Sequence, residues 1–341
     1  MMRNDFRMDR RVVGNGRKTS NFAFSVGLLF AISFTLLIWA AGVRLEDVPL
    51  RPDQGATWYY WKLAEPTIAS QLTAWGGYLL HQFFLWGIIM YARKHVHTYT
   101  TSLHRINIVA LLGNVAFVVL HFVQTHFWYD GLAQNVSLTS SEASVVLLLI
   151  VVLLMENRRR GLFGGKKVSI AKSIIDFFRQ YHGFIFAWAI VYTFWFHPMV
   201  ATSGHLLGFF YIFLLLLQSS LFYTRMHLNR WWTVLLELMV LFHGAVVVTM
   251  LRGSALWAFV LGFLGIFLIT QMHGLRLKLW MRWGVFGLYL LTILIAFTQK
   301  GTAVWRDILL LPVLEYGLLF LLAGVTWLGI MIYQRVRPRQ T

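Results

Sequence analysis

INIVALLGNVAFVVLHFVQTHFW, residues 106–128, contains no Asp, Glu, Lys or Arg, and it is long enough to cross a hydrocarbon core of about 30 Å. Charged residues make up only 13% of the whole sequence, whereas soluble domains carry about 25%. Similar apolar stretches recur along the chain, so the sequence predicts an all-α, polytopic transmembrane bundle of about ten spans. The other nine lie at roughly 21–42, 70–92, 139–156, 180–198, 204–224, 231–251, 254–272, 280–298 and 309–333.

The distribution of Lys and Arg orients this bundle. With the N-terminus inside, the cytoplasmic segments contain 24 of the 30 Lys and Arg residues. Cytoplasmic loops of membrane proteins carry an excess of these residues, so we expect both termini to be cytoplasmic. The predicted organisation is a basic N-terminal segment (1–20), a single membrane domain (21–333) and a basic tail (334–341).

The basic composition does not indicate nucleic-acid binding. The formal net charge is +17, but the basic residues lie in short loops beside span ends, where topology and anionic lipid headgroups account for them. We therefore expect membrane lipids, and no nucleic acid, as partners. Without cysteine the chain has no disulfide, iron–sulfur cluster or thiolate metal site. No organelle-targeting signal is recognisable, so the expected location is a bacterial inner membrane.

A weak internal repeat relates residues 70–128 to residues 204–251. The first part contains His81 and His121, and the second contains His205 and His243 at similar positions. The two parts have the same predicted direction through the membrane, as in the parallel repeats of some transporters. A repeat of this kind would place a site where its two halves meet.

Histidine is the most conspicuous chemical feature of the apolar segments. Three of the twelve histidines, His81, His121 and His243, lie deep in predicted spans, and a buried imidazole needs a partner on at least one nitrogen. His81 and His95 are 14 residues apart, which brings them within about 40° of one helix face. This spacing is similar to that in transmembrane cytochromes b, which hold two haems.

The spacing favours a haem- or metal-dependent membrane oxidoreductase as the first hypothesis. His81 would ligate the iron of haem b together with His121 or His243, and electrons would pass to or from a quinone. A transition metal held by His121, His197 and His205 is the alternative, because imidazole suits Zn, Fe and Cu. The sequence contains no local motif that selects between them.

A membrane enzyme that transfers a group to or from a lipid-like substrate is the second hypothesis. His243 would act as general base with the help of Glu237, a catalytic pair of a common type. The third hypothesis is a proton-coupled transporter. Glu237 lies within a predicted span, where a carboxyl group must be protonated, paired or hydrated. Two further carboxylates, Glu142 and Glu315, are expected near the outer ends of spans.

Overall fold

Ten long helices form most of the chain in the computed structural model, which describes residues 10–55, 59–250 and 256–336, with side chains from Thr19 onward. No strand occurs among these residues, so the all-α prediction is confirmed. The helices are α1 (Arg10–Ala41), α2 (Ile68–His95), α3 (Arg105–Trp128), α4 (Leu138–Arg160), α5 (Lys172–Phe196), α6 (Ser203–Ser220), α7 (Arg230–Met250), α8 (Leu256–Ile266), α9 (Leu279–Lys300) and α10 (Val304–Val336).

Seven helical segments are long and apolar enough to cross a membrane, and this supports the prediction of a membrane protein. The helices α2 and α5 fall outside this set. Polar residues such as His81, Gln82 and Arg179 lower the hydropathy of these two helices. The number of ten spans and the cytoplasmic termini therefore stay predictions. The seven segments are Thr19–Leu45, Arg105–Trp128, Leu138–Arg160, Ser203–Ser220, Arg230–Met250, Leu256–Gly274 and Leu279–Val336.

Two helices begin well before the apolar stretches that predicted them. The helix α1 begins at Arg10, inside the predicted basic segment, and α5 begins at Lys172 instead of near residue 180. Hydropathy marks only the apolar part of a helix, so the polar first turns of α1 and α5 leave no signal in it. Residues 1–9 and 337–341, which contain much of the predicted basic ends, lie outside the described residues.

The first of two compact units comprises the described residues of Met1–Ser141 and Phe186–Leu236. In it α2 packs against α3, and α6 contacts both α1 and α3. Thr67 caps α2, since its side chain accepts from the Ser70 N–H while the Ser70 hydroxyl accepts from the Thr67 N–H. Such a reciprocal cap satisfies two of the N–H groups that a helix leaves without partners.

The second unit comprises the described residues of Glu142–Ile185 and Glu237–Thr341. Its α8 packs along α10, and α9 contacts both of these helices. Gly262 allows the close approach of α8 to α10, because a Cβ there would lie 2.6 Å from Cβ of Leu311. The end of α8 continues through a π-helical turn, Phe267–Gln271, into a last turn, Met272–Gly274.

Candidate functional site

The last residue of α4, Arg160, is a buried arginine in the second unit. Its side chain is 0% exposed, while those of Arg158 and Arg159 beside it are 38% and 40% exposed. Nη1 of Arg160 donates to both carboxylate oxygens of Glu237 in α7, at 3.1 and 2.9 Å. This ion pair offsets the desolvation cost of burying the Glu237 carboxylate.

The other edge of the Arg160 guanidinium has no partner. Its Nε and Nη2 atoms are buried and make no hydrogen bond with any described residue. The N–H groups of these two atoms point in the same direction and form a fork that matches the two oxygens of a carboxylate. A buried donor without an acceptor costs about 1–3 kcal/mol, so this empty fork is an unusual feature of the interior.

A second buried carboxyl group, Glu315 of α10, lies at the same place. Its residue is 4% exposed, and it makes no hydrogen bond or ion pair with another described residue. Arg160, Glu237 and Glu315 line one cavity of about 10 Å³, close to the smallest space that holds a single water molecule. Gln271 adds one more polar group, and the rest of the lining is apolar: Leu149, Val152, Leu153, Phe263 and Ile266.

Two irregular features of the helices, a π-helical turn and a proline, lie next to this cavity. Gln271 reaches it from the π-helical turn of α8, and Glu315 follows Pro312, which lies inside α10. The turn is held to α10 by a hydrogen bond between the hydroxyl groups of Thr270 and Tyr316. Pi-helical turns are frequent at functional sites, and proline removes a hydrogen bond from a helix. Both features therefore weaken the helices where they meet the cavity.

The charges at the cavity balance only if one carboxyl group carries a proton. Arg160 supplies one positive charge, and Glu237 neutralises it through the ion pair. An ionised Glu315 would add a buried negative charge without a counter-ion, which is strongly unfavourable. The neutral arrangement is therefore the Arg160–Glu237 pair together with a protonated Glu315.

The structure shows where Glu315 and His243 lie relative to Glu237. Glu315 was expected in an outer layer with Glu142, but the structure places Glu315 beside Glu237. His243, the predicted general base, follows Glu237 by six residues, which puts the two about 120° apart around α7. His243 is partly exposed, and both oxygens of Glu237 are taken by Arg160.

His81, in the first unit, belongs to a hydrogen-bond chain with a fixed direction. The Trp195 indole N–H donates to Nδ1 of His81 at 3.3 Å, and Nε2 of His81 donates to the Asn114 amide oxygen at 2.8 Å. The Asn114 amide donates to the Ser220 hydroxyl, which donates to the Leu216 carbonyl. An indole only donates and a carbonyl only accepts, so His81 is neutral, with its hydrogen on Nε2.

This chain ties four helices together. Trp195 belongs to α5, His81 to α2, Asn114 to α3 and Ser220 to α6. All four side chains are buried, and a satisfied buried network of this kind fixes the packing of the helices that supply it. His81 is thus a structural residue of the first unit.

His121 is also engaged at both ring nitrogens. Its Nε2 donates to the main-chain carbonyl of His197 at 2.9 Å, and the Gln124 amide lies 3.1 Å from Nδ1. The contacting atom of Gln124 is the amide oxygen, and it accepts when Nδ1 carries the hydrogen; a ring that donates through Nε2 pairs with the same amide after its oxygen and nitrogen exchange places. The indole of Trp195 packs on the His121 ring, with 4.3 Å between ring centroids.

These surroundings do not fit the ligands of a haem iron. An iron needs a free imidazole nitrogen, and His81 and His121 each use both nitrogens in hydrogen bonds. Phe117 covers one face of the His81 ring at 4.2 Å between centroids. Within the described ranges, no group of three or more His, Cys, Asp or Glu side chains is arranged to hold a metal ion. The haem b and transition-metal predictions therefore receive no support.

His197 and His205, the other predicted metal ligands, meet at Tyr59. The tyrosine hydroxyl lies 2.9 Å from Nδ1 of His197 and 2.9 Å from Nε2 of His205. Burial raises the pKa of Tyr59 well above 10.0, so the hydroxyl keeps its single proton. It donates to one imidazole and accepts from the other, and this holds the loop before α2 against the start of α6.

Adjacent glycines of α2 test the packing around Trp195. A Cβ at Gly77 would lie 2.1 Å from the buried Trp195 ring, whereas a Cβ at Gly76 meets nothing within 4 Å. We expect Gly77→Ala to lower the free energy of unfolding by about 1–3 kcal/mol through overpacking. Gly76→Ala should raise it by up to about 1 kcal/mol, because alanine favours helix. Thermal unfolding in detergent compares the two, and equal effects would contradict this packing.

Asp130, after α3, gives a prediction about pH. Burial raises the pKa of Asp130 above its usual 3.8, outweighing the hydrogen bonds from Ser70 and Gly131, which act in the opposite direction. The folded protein therefore holds the proton more tightly than the unfolded chain does. The stability that Asp130 contributes is present below pH 3.8 and is lost as pH rises through the raised pKa of the folded protein.

We expect Asp130→Asn to raise the free energy of unfolding by about 1 kcal/mol at neutral pH. The Ser70 hydroxyl has one proton, and both the Thr67 carbonyl and the Asp130 carboxylate lie within 2.9 Å of it. An asparagine amide donates to Ser70 and removes this competition. Unfolding measured across pH checks the prediction. The advantage of the variant should shrink towards pH 3.8, and a variant less stable at every pH would contradict it.

A signal for Arg160 was present in the sequence. The buried positions of α4 include Ile150, Leu153, Asn157 and Arg160, and these follow the spacing of one helix face. Arg160 continues this face, whereas Arg158 and Arg159 do not. All three arginines are among the 24 Lys and Arg residues assigned to cytoplasmic segments, and this common assignment concealed the difference between them.

Comparison of the chain with protein families, with curated proteins and with solved structures finds no match.

Proposed function

We propose that this protein is a proton-coupled membrane transporter, and that Arg160, Glu237 and Glu315 form its proton site. One observation carries the proposal: a buried guanidinium and two buried carboxyl groups line one cavity, and only one of the carboxyl groups is paired with the guanidinium. Ionisable groups within apolar helices are costly and mark ion and substrate pathways in membrane proteins.

The empty fork of Arg160 gives the site two arrangements. With Glu315 protonated, Arg160 pairs with Glu237 alone, as observed. When Glu315 loses its proton, its new negative charge is attracted to the free Nε and Nη2 groups of Arg160, a residue that lines the same cavity. Protonation thus shifts the balance between two arrangements of one buried cluster, and a proton-coupled cycle requires such a shift.

The helices around the cavity support this proposal. Transporters commonly place their sites at interrupted helices. Gln271 lies in the π-helical turn that follows α8, and Glu315 lies three residues after Pro312, a proline inside the continuous helix α10. Movement at these points would open the cavity without unfolding the rest of α8 or α10.

The redox and group-transfer hypotheses have less support. The first needs free nitrogens on His81 or His121, which are occupied, and the second needs His243 to act with Glu237, which is paired with Arg160. A quinone or lipid-like substrate, contact with membrane lipids and a bacterial inner membrane stay predictions.

Proton movement in liposomes tests the proposal. The purified protein is reconstituted with a pH-sensitive dye inside the vesicles, and a panel of carboxylates, phosphate, amino acids, sugars and amines is added outside. We expect one solute class to carry protons inward, and Glu237→Gln to abolish this movement. Arg159→Met, which changes an exposed neighbour of Arg160, should behave like the wild type. Undiminished proton movement in Glu237→Gln would overturn the proposal.

A further inference from the structure

We infer that the free Nε–Nη2 fork of Arg160 binds the carboxylate of a small, apolar monocarboxylic acid, which enters the site together with one proton. This inference rests on the proposed transport function, and it names the substrate class. Its starting point is the fork itself, which is buried, has no acceptor among the described residues and belongs to a residue that lines the cavity.

The geometry of the fork selects a carboxylate. Two parallel N–H groups bind two coplanar oxygens at once, and guanidinium–carboxylate pairs of this kind are stronger and more directional than neutral hydrogen bonds. A halide offers one point of contact and a neutral amide only one good acceptor. Glu315, the carboxyl group of the protein nearest to this role, does not occupy the fork.

The charges at the cavity determine how many protons enter with each substrate molecule. Arg160, ionised Glu237 and protonated Glu315 sum to zero, so a bound monocarboxylate alone would leave one buried negative charge. One proton taken from solution by Glu237 restores neutrality, and Arg160 then pairs with the substrate in place of Glu237. No bond other than O–H forms or breaks, and each carboxylate enters with one proton.

Other charged groups near Glu237 do not change the number of protons taken up. The fields of Glu156 and Arg159 reach Glu237, but these two residues form an ion pair with each other and largely cancel. The phenol of Tyr316, next to Glu315, donates its proton to Thr270 and carries no charge. Among the charged side chains that the structure describes, Arg160, Glu237 and Glu315 alone line the cavity.

The lining of the cavity limits the rest of the substrate. Apart from the charged cluster and Gln271, it is made of aliphatic and aromatic side chains, which suit a short hydrocarbon tail. Several hydroxyl groups on this tail would be buried there without partners, which is unfavourable. The cavity of about 10 Å³ has room for about one water molecule, so a solute such as acetate binds only when the cavity opens.

Calorimetry on the purified, detergent-solubilised full chain tests this site, with acetate as the probe and acetamide, chloride and ethylammonium as controls. We expect saturable binding of acetate and no saturable binding of the three controls. A pH-indicator dye in weak buffer should report the uptake of one proton per acetate bound. Acetate that binds no better than acetamide, the neutral molecule of the same shape, would overturn the inference.

Two variants make the test specific to the fork. Arg160→Lys keeps the charge but loses the two parallel donors, so acetate affinity should fall roughly 10-fold or more, while Arg159→Lys leaves it unchanged. If Arg160→Lys does not fold, the double variant Arg160→Met/Glu237→Leu replaces it, because this variant removes both charges of the buried pair. Without the fork it should show no saturable binding of acetate. Either variant binding acetate like the wild type would overturn the inference.

The experiments can disprove the binding site and the transport function separately. Acetate that binds with one proton but never crosses a liposome membrane would overturn the transport function and leave the binding site intact. Protons carried inward with another solute class, without acetate binding, would overturn the carboxylate inference and leave the transport function intact.

Discussion

Arg160→Met is expected to lower the free energy of unfolding by about 3–5 kcal/mol, because it leaves the carboxylate of Glu237 buried without a partner. Nη1 of Arg160 makes both hydrogen bonds to this carboxylate, and the guanidinium is fully buried. Chemical unfolding in mild detergent, followed by tryptophan fluorescence, measures the loss.

A neighbouring arginine provides the matched control for this variant. The side chain of Arg159 is 40% exposed and pairs with Glu156, and exposed pairs contribute about 0–1 kcal/mol. Arg159→Met should therefore change stability little. The double variant Arg160→Met/Glu237→Leu removes both charges and should regain most of the lost stability. Equal effects of the two single Arg→Met variants would show that the buried pair is not as described.

Glu315→Gln is expected to reduce proton-driven solute uptake at least about 10-fold while leaving exchange of solute across the membrane intact. Glutamine resembles a carboxyl group that never releases its proton, so the cluster keeps one arrangement instead of two. Uptake into liposomes with and without an inward proton gradient measures the difference. Only the uptake that depends on the gradient should fall.

Glu142 supplies the control for this prediction. It is a carboxylate of α4 with an exposed side chain, and Glu142→Gln removes the same charge from a different place. Its uptake should match that of the wild type. A Glu315→Gln variant that still concentrates solute under a proton gradient would show that coupling does not require Glu315 to release its proton.

Much of the fold follows from local sequence. Each apolar stretch that predicted a span, such as 106–128, coincides with a helix, because a chain that buries its backbone polar groups in lipid has few alternatives. The limits of α5 were harder to predict, since its first turns contain Lys172 and Arg179 and carry no hydropathy signal. Length and apolar composition do not identify α2 and α5 as membrane-spanning helices.

The candidate site was only partly visible in the sequence. Glu237 stood out because a carboxyl group within an apolar stretch needs a partner, but that partner lies 77 residues earlier in the chain. The group-transfer hypothesis paired Glu237 with His243 instead. His81 does have partners, yet they are Asn114 and Trp195, from helices whose packing the sequence does not reveal. Local patterns identify a residue that needs a partner, and tertiary packing supplies the partner.

The central claim is that a proton resides on Glu315 beside the Arg160–Glu237 ion pair. Infrared difference spectroscopy of the purified protein at neutral pH tests it directly, because a protonated carboxyl group has a C=O stretching band that an ionised one lacks. We expect this band in the wild type and in Glu142→Gln, and its loss in Glu315→Gln. A wild-type spectrum without the band, or a Glu315→Gln spectrum that keeps all of it, would contradict the claim.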